Sequence, residues 1–111
     1  MTKFTVLILP IFEEKFRQLT TFEQRRIHSF IQQLEENGDL IGKPLGGKSY
    51  FREKKFNGNR MYYLVYSEWK TIALVTISDK KDQQHTITRI EIELPSYYEQ
   101  VRQIIAKKGI I

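Results

Sequence analysis

The sequence predicts an α+β fold: an N-terminal strand and a two-helix hairpin packed on a small, mainly antiparallel four-stranded sheet, closed by a C-terminal helix. Three observations predict it. Ile27, Phe30, Ile31 and Leu34 recur at i, i+3, i+4 and i+7, the stripe of an amphipathic helix. Between Tyr50 and Lys81 three apolar runs are joined by two short turns, the pattern of consecutive hairpins. Past Pro95, Tyr97, Val101, Ile104 and Ile105 return to helical spacing.

Taken in order, Phe4 to Leu9 (FTVLIL) is a short, partly β-branched run that Pro10 ends, because proline cannot donate to a ladder. Ile11 to Leu19 places Phe12, Phe16 and Leu19 on one side of a short helix. Thr20 with Glu23 fits a capping box, and so does Thr21 with Gln24, so the second helix has two possible starts. Asn37-Gly38 supplies a left-handed stop. With almost no loop between them, the two helices should form an antiparallel hairpin lying on the sheet.

Asp39 to Ser49 reads as loop, since Gly42, Pro44, Gly46 and Gly47 prevent a helix and weaken a strand. GKPLGGKS (Gly42–Ser49) matches the phosphate-loop pattern G-x-x-x-x-G-K-S letter for letter. Its setting is wrong: a phosphate loop follows a buried strand and opens a helix, and here a helix precedes and a strand follows. Tyr50 to Phe56 is the second strand, with Tyr50, Arg52, Lys54 and Phe56 on one face and Phe51, Glu53 and Lys55 on the other. A turn at Asn57-Gly58-Asn59 leads to the third strand, Arg60 to Tyr66, and places Arg60 close to Arg52 and Lys54. Thr71 to Ser78 is apolar at nearly every position, which predicts a central strand covered on both faces. Thr86 to Leu94 suits either period: Ile90, Ile92 and Leu94 alternate, while Ile87, Ile90 and Leu94 fit a helix. Pro95 breaks the run, and a final helix runs from Ser96 as cap to Gly109 as stop.

At 111 residues the chain is expected to be a single domain, residues 1–111. Its apolar content of 41% is enough to bury a core and argues against disorder. A formal charge of +5 tilts the partner toward nucleic acid or an acidic protein. Without cysteine there are no disulfides and no thiolate metal sites, as suits a reducing cytoplasm. Phe4–Leu9 is too short for a signal sequence, and no later segment approaches a membrane span.

GKPL (Gly42–Leu45), FREKKFNGNRMYYLVY (Phe51–Tyr66) and a hydrophobic strand closing in SDKK (Ser78–Lys81), preceded by a two-helix hairpin, resemble the RelE/ParE superfamily of toxins from bacterial and archaeal toxin–antitoxin pairs. The likeness runs from Phe4 to about His85. It implies one of two activities on a shared fold. RelE-like members are ribosome-dependent endoribonucleases that cut mRNA, and ParE-like members inhibit DNA gyrase without nuclease activity. It also implies a cognate antitoxin, a cytoplasmic location and a helical reading of Thr86–Leu94. In the RelE branch a sheet face carries basic residues on the strand before the turn, an arginine opening the next strand, and a basic residue after the last strand. Arg52 and Lys54, Arg60, and Lys81 match these in turn. The branch often has a tyrosine near the chain end; here His85 and Thr86 stand near that place, with Tyr97 and Tyr98 farther on.

Metal-free RNA cleavage needs a base for the 2′-hydroxyl, cations for the phosphorane and an acid for the leaving 5′-oxygen. From pattern alone, hairpin lysines and arginines are solvated guards of edge strands. The resemblance instead selects Arg52, Lys54, Arg60, Lys81 and His85 as catalytic candidates. Lys54, crowded by Arg52, Lys55 and Arg60, would titrate low enough to serve as base. Arg52 and Arg60 would clamp phosphate, and His85 or Lys81 would protonate the leaving oxygen, the acid being left open between them. Lys48, Lys55 and Lys80 are RNA-binding candidates outside that first rank. Tyr62, Tyr63 and Tyr66 read as core, and His28 as a helix-surface or structural residue. No cofactor and no metal site are expected, because the helix carboxylates have no histidine at ligand spacing. The favoured reading is a RelE-like mRNA endoribonuclease; the alternatives are a ParE-like gyrase inhibitor and a catalytically degenerate binding module.

Overall fold

Eight consecutive buried residues, Thr71 to Ser78, mark β5 (Thr71–Asp79) as an interior strand of the sheet covered on both faces, as its largely apolar sequence predicts. The structure is a computed structural model that describes residues 3–38 and 41–109. Its other elements are β1 (Thr5–Ile8), α1 (Pro10–Arg17), α2 (Thr21–Asn37), β2 (Lys43–Leu45), β3 (Lys48–Phe56), β4 (Asn59–Tyr66), α3 (Gln83–Ile92) and α4 (Leu94–Lys107). A single 3₁₀ turn, Ser67–Trp69, joins β4 to β5. The sheet order is β1-β5-β4-β3-β2, with β1 parallel to β5 and every other pair antiparallel.

The sheet thus has five strands rather than four. The extra one, β2, lies in the segment read as loop, of which Asp39 and Leu40 fall outside the described residues. Gly46 and Gly47 both take positive φ, the requirement of a two-residue hairpin turn, and Leu45 pairs with Lys48 across them. The glycines expected to weaken a strand instead join two, and the GGKS match is a hairpin.

Helices cover both faces. On one, Phe12 of α1 and Ile27, Phe30 and Leu34 of α2 pack on Met61, Tyr63, Val65, Ile72 and Leu74. On the other, Ile90 of α3 and Val101 and Ile105 of α4 pack on Phe51, Tyr62, Leu64, Ala73 and Val75. Thr20, not Thr21, caps α2: its hydroxyl accepts from the Glu23 N–H, and the Glu23 carboxylate accepts from the Thr20 N–H. Gly38 departs from expectation. Its φ is −54°, an ordinary helical value, and its role is proximity: a Cβ there would collide with Ile72 Cδ1.

Thr86–Leu94 resolves largely as α3, which begins at Gln83. Pro95 does not break the chain's last helix but sits in its first turn, where its missing N–H would be unpaired anyway, so Ser96 lies inside α4 and is not its cap. Gly109 follows the helix at φ +77°, the expected stop.

Candidate nucleic-acid interface

The hairpin turn decides which cations meet. It is two residues long, Asn57 (φ 45°) and Gly58 (φ 79°), and Asn59 already belongs to β4. Lys55 therefore pairs with Arg60, and Glu53 with Tyr62. Directly paired residues share a sheet face. Arg60 thus lies with Lys55 and Glu53 on the α3 side, opposite Arg52 and Lys54. A three-residue turn would have set Arg60 against Phe56, on the face of Lys54. That one-residue difference overturns the expected Arg52/Lys54/Arg60 grouping.

On the α3 side the sheet ends in a buried polar corner. Glu53 is 2% exposed and Arg60 8% exposed. Glu53 Oε1 lies 3.8 Å from Arg60 Nε, and the Gln83 amide at the start of α3 donates to both Glu53 oxygens, at 2.9 and 3.0 Å. Tyr62 and Ser78 hydroxyls hydrogen-bond at 2.8 Å beside them. Burial, more than any other influence, raises the Tyr62 phenol above its ordinary value, so it stays protonated. Arg60 Nε is buried without a hydrogen-bond partner, so the guanidinium keeps an unused donor next to its counter-ion. Lys80 and Lys81 are exposed in the short link from β5 to α3.

A cleft of about 590 Å³ opens beside this corner between α1, the end of β5 and the last two helices. Asn59, Ser78 and Asp79 from the strand ends, Lys15 from α1, and His85 and Arg89 from α3 line it. His85 is exposed there. Lys15 donates to the Ile77 carbonyl at 2.9 Å, which ties α1 to the same end of β5. Tyr97 also reaches the cleft, its hydroxyl donating to Glu93 at 3.3 Å; burial raises its phenol, with the Glu93 charge second.

Arg52 and Lys54 occupy the α2 face. Arg52 is spent on the main chain: Nε donates to the Ile41 carbonyl at 2.8 Å and Nη1 to the Ser49 carbonyl at 2.7 Å. Lys54 is exposed, its ammonium 5.8 Å above the Phe30 ring. Lys48 meets Glu91 at 3.4 Å. Tyr63 and Tyr66 are buried core residues, as expected; Tyr63 donates to the Ile41 carbonyl, and burial pushes its phenol up to about 12.

Glu53, the counter-ion of Arg60, and Gln83, which holds Glu53, are functional-site residues that the sequence patterns did not single out. The signal was in the hairpin: an Asn-Gly pair read as a two-residue turn sets Lys55 opposite Arg60 and leaves Glu53 on the adjacent diagonal. Among the described residues no three His, Asp or Glu side chains are grouped to hold a metal, and no helix is long and apolar enough to cross a membrane.

No protein-family model and no curated protein sequence matches the chain. Solved structures do. A variant of the E. coli toxin RelE in the free state superposes with TM-score 0.64 at 15% identity, covering 81% of this chain and 99% of that one. The intact E. coli RelBE toxin–antitoxin complex gives 0.62 at 14% identity, covering 68% and 95%. A RelBE toxin–antitoxin complex from Mycobacterium tuberculosis gives 0.62 at 16% identity, covering 71% and 100%. The chain has the RelE-like toxin fold.

Proposed function

We propose that this chain is the toxin of a toxin–antitoxin pair and that it cleaves mRNA on the ribosome. The RelE-like fold supports the toxin reading, with an antitoxin protein as partner and the cytoplasm as its place of action. The observation that carries the RNA-cleaving part is Arg60: a buried guanidinium with an unused donor, paired across the strands with Lys55 and Ser78, the latter lining the cleft that holds His85. In this reading the scissile phosphate approaches Arg60, whose guanidinium donates to a phosphorane oxygen. A base takes the 2′-hydroxyl proton, the 2′-oxygen attacks phosphorus, and the 5′-oxygen leaves with a proton from an acid. Lys81 and His85 are the exposed groups on Arg60's side that supply these two transfers. Arg52 organises the loop before β3 and stays outside the chemistry, and Lys54 faces the other way.

A second reading is favoured by a specific contact. Glu53 already neutralises Arg60, which suits a binding module that keeps the fold without the chemistry. One experiment separates these readings and the gyrase-inhibitor alternative. Expression of the wild type is expected to arrest growth, with mRNA cut at positions mapped by primer extension. His85→Ala and Lys81→Ala should each slow cleavage by about 10²–10⁴-fold, with an unchanged circular dichroism spectrum. Growth arrest with intact mRNA and a DNA-damage response would move the assignment to gyrase. No arrest at high expression would leave the binding module.

A further inference from the structure

A second groove lies on the opposite side of the sheet from the Arg60 corner, between α2 and the end of β3, around a space of about 410 Å³. Phe22, Arg26 and Phe30 are spaced by four residues and share one stripe of α2. Lys54, Lys55 and Phe56 form the facing wall. Three features distinguish this groove. No carboxylate lines it. None of its three cations takes part in an ion pair among the described residues. And Phe22 is 58% exposed, a large aromatic ring held in water with the Arg26 guanidinium 6.0 Å from its centroid.

We infer that this groove binds single-stranded RNA, with a base stacked on Phe22 against Arg26 and the adjoining phosphates on Lys54 and Lys55. The inference rests on the reading of RNA as the target. It gives Lys54, on the face away from Arg60, a role in holding the strand, with Lys55 at the edge of the groove where β3 ends. An acidic peptide fits less well. Phe30 and Phe56 are buried in the core, so the floor of the groove is closed and offers no trough for an apolar anchor. What remains exposed is one flat ring and three cations, the elements of a stacking platform beside a phosphate track.

Fluorescence anisotropy of a labelled eight-nucleotide oligouridine with the full chain tests this. Binding is expected to weaken with salt at a log–log slope of about −1.4, the value for two phosphates on a single strand. Phe22→Ala should lower affinity about tenfold, Phe22→Trp should retain it, and Lys107→Gln, far along α4, should leave it unchanged. Phe22 is exposed, so its replacement leaves the core intact. Unchanged affinity in Phe22→Ala, in a protein that still cuts mRNA, overturns the groove alone. A wild type that neither binds the oligonucleotide nor cuts mRNA overturns the groove and the nuclease reading together. Binding of a poly-glutamate peptide in place of the oligonucleotide assigns the groove to an acidic protein segment and overturns the inference.

Discussion

Arg60 and Glu53 sit diagonally across the β3–β4 pair, and each is buried with the other as its counter-ion. Removing one partner of such a pair strands the other charge away from water, at a cost of about 3–5 kcal/mol. Arg60→Ala should therefore unfold at markedly lower urea concentration. The Glu53→Gln/Arg60→Gln double variant should recover much of the loss, because no lone charge remains. Loss of toxicity in Arg60→Ala alone would thus reflect folding as much as chemistry, whereas exposed Lys81 and His85 report on chemistry directly. Tyr63 makes a second residue-scale prediction. Its phenol is raised by burial from an ordinary 10.0 to about 12, so the folded state favours the protonated form. The stability this gives is complete below pH 10 and is lost as pH rises through about 12. Tyr63→Phe should flatten that alkaline loss in a stability–pH profile, and an unchanged profile would refute the assignment.

At the scale of elements, Glu23 connects helix to hairpin. Its carboxylate closes the capping box with Thr20 and accepts from the Asn57 and Asn59 side-chain amides, each at 3.1 Å. The Thr20 N–H, and then Asn57, hold its pKa below the ordinary 4.5. The contribution is present above that ordinary value and disappears as pH falls through the lowered one. Glu23→Gln should accordingly remove part of the acid sensitivity of unfolding below pH 4.5, measured as the urea midpoint against pH. The hairpin also shows why elements were more legible than the site. The stripe of α2 and the unbroken apolar run of β5 each repeat a signal over many residues, so an error at one end does no harm. The face on which Arg60 lies hangs on the length of one turn, and reading Asn59 as turn rather than strand moved the arginine across the sheet. The same fragility hid β2, whose three residues carry too little periodicity to register without the Gly46-Gly47 turn that pairs them.

For the whole molecule, the α+β class, the two-helix hairpin, the interior position of β5 and the α4 core residues were readable because burial imposes period and composition. The polar corner was not, because it depends on contacts between β3, β4 and α3 that no local pattern records: Gln83 lies thirty residues from the carboxylate it holds. The parallel pairing of β1 with β5 has a further consequence, for the order of assembly during synthesis. Thr5 is matched to Thr71 and Ile8 to Leu74, so β1 cannot be seated until β5 has followed it from the ribosome. Until then Leu7, Leu9 and the apolar stripe of α2 have no sheet to cover, and such incomplete states are prone to aggregation. The β3-β4-β5 meander, closed by short turns, is the local unit available to form early. Docking of β1 and the two helices onto it completes the sheet, so β1 stays unplaced until β5 has been made.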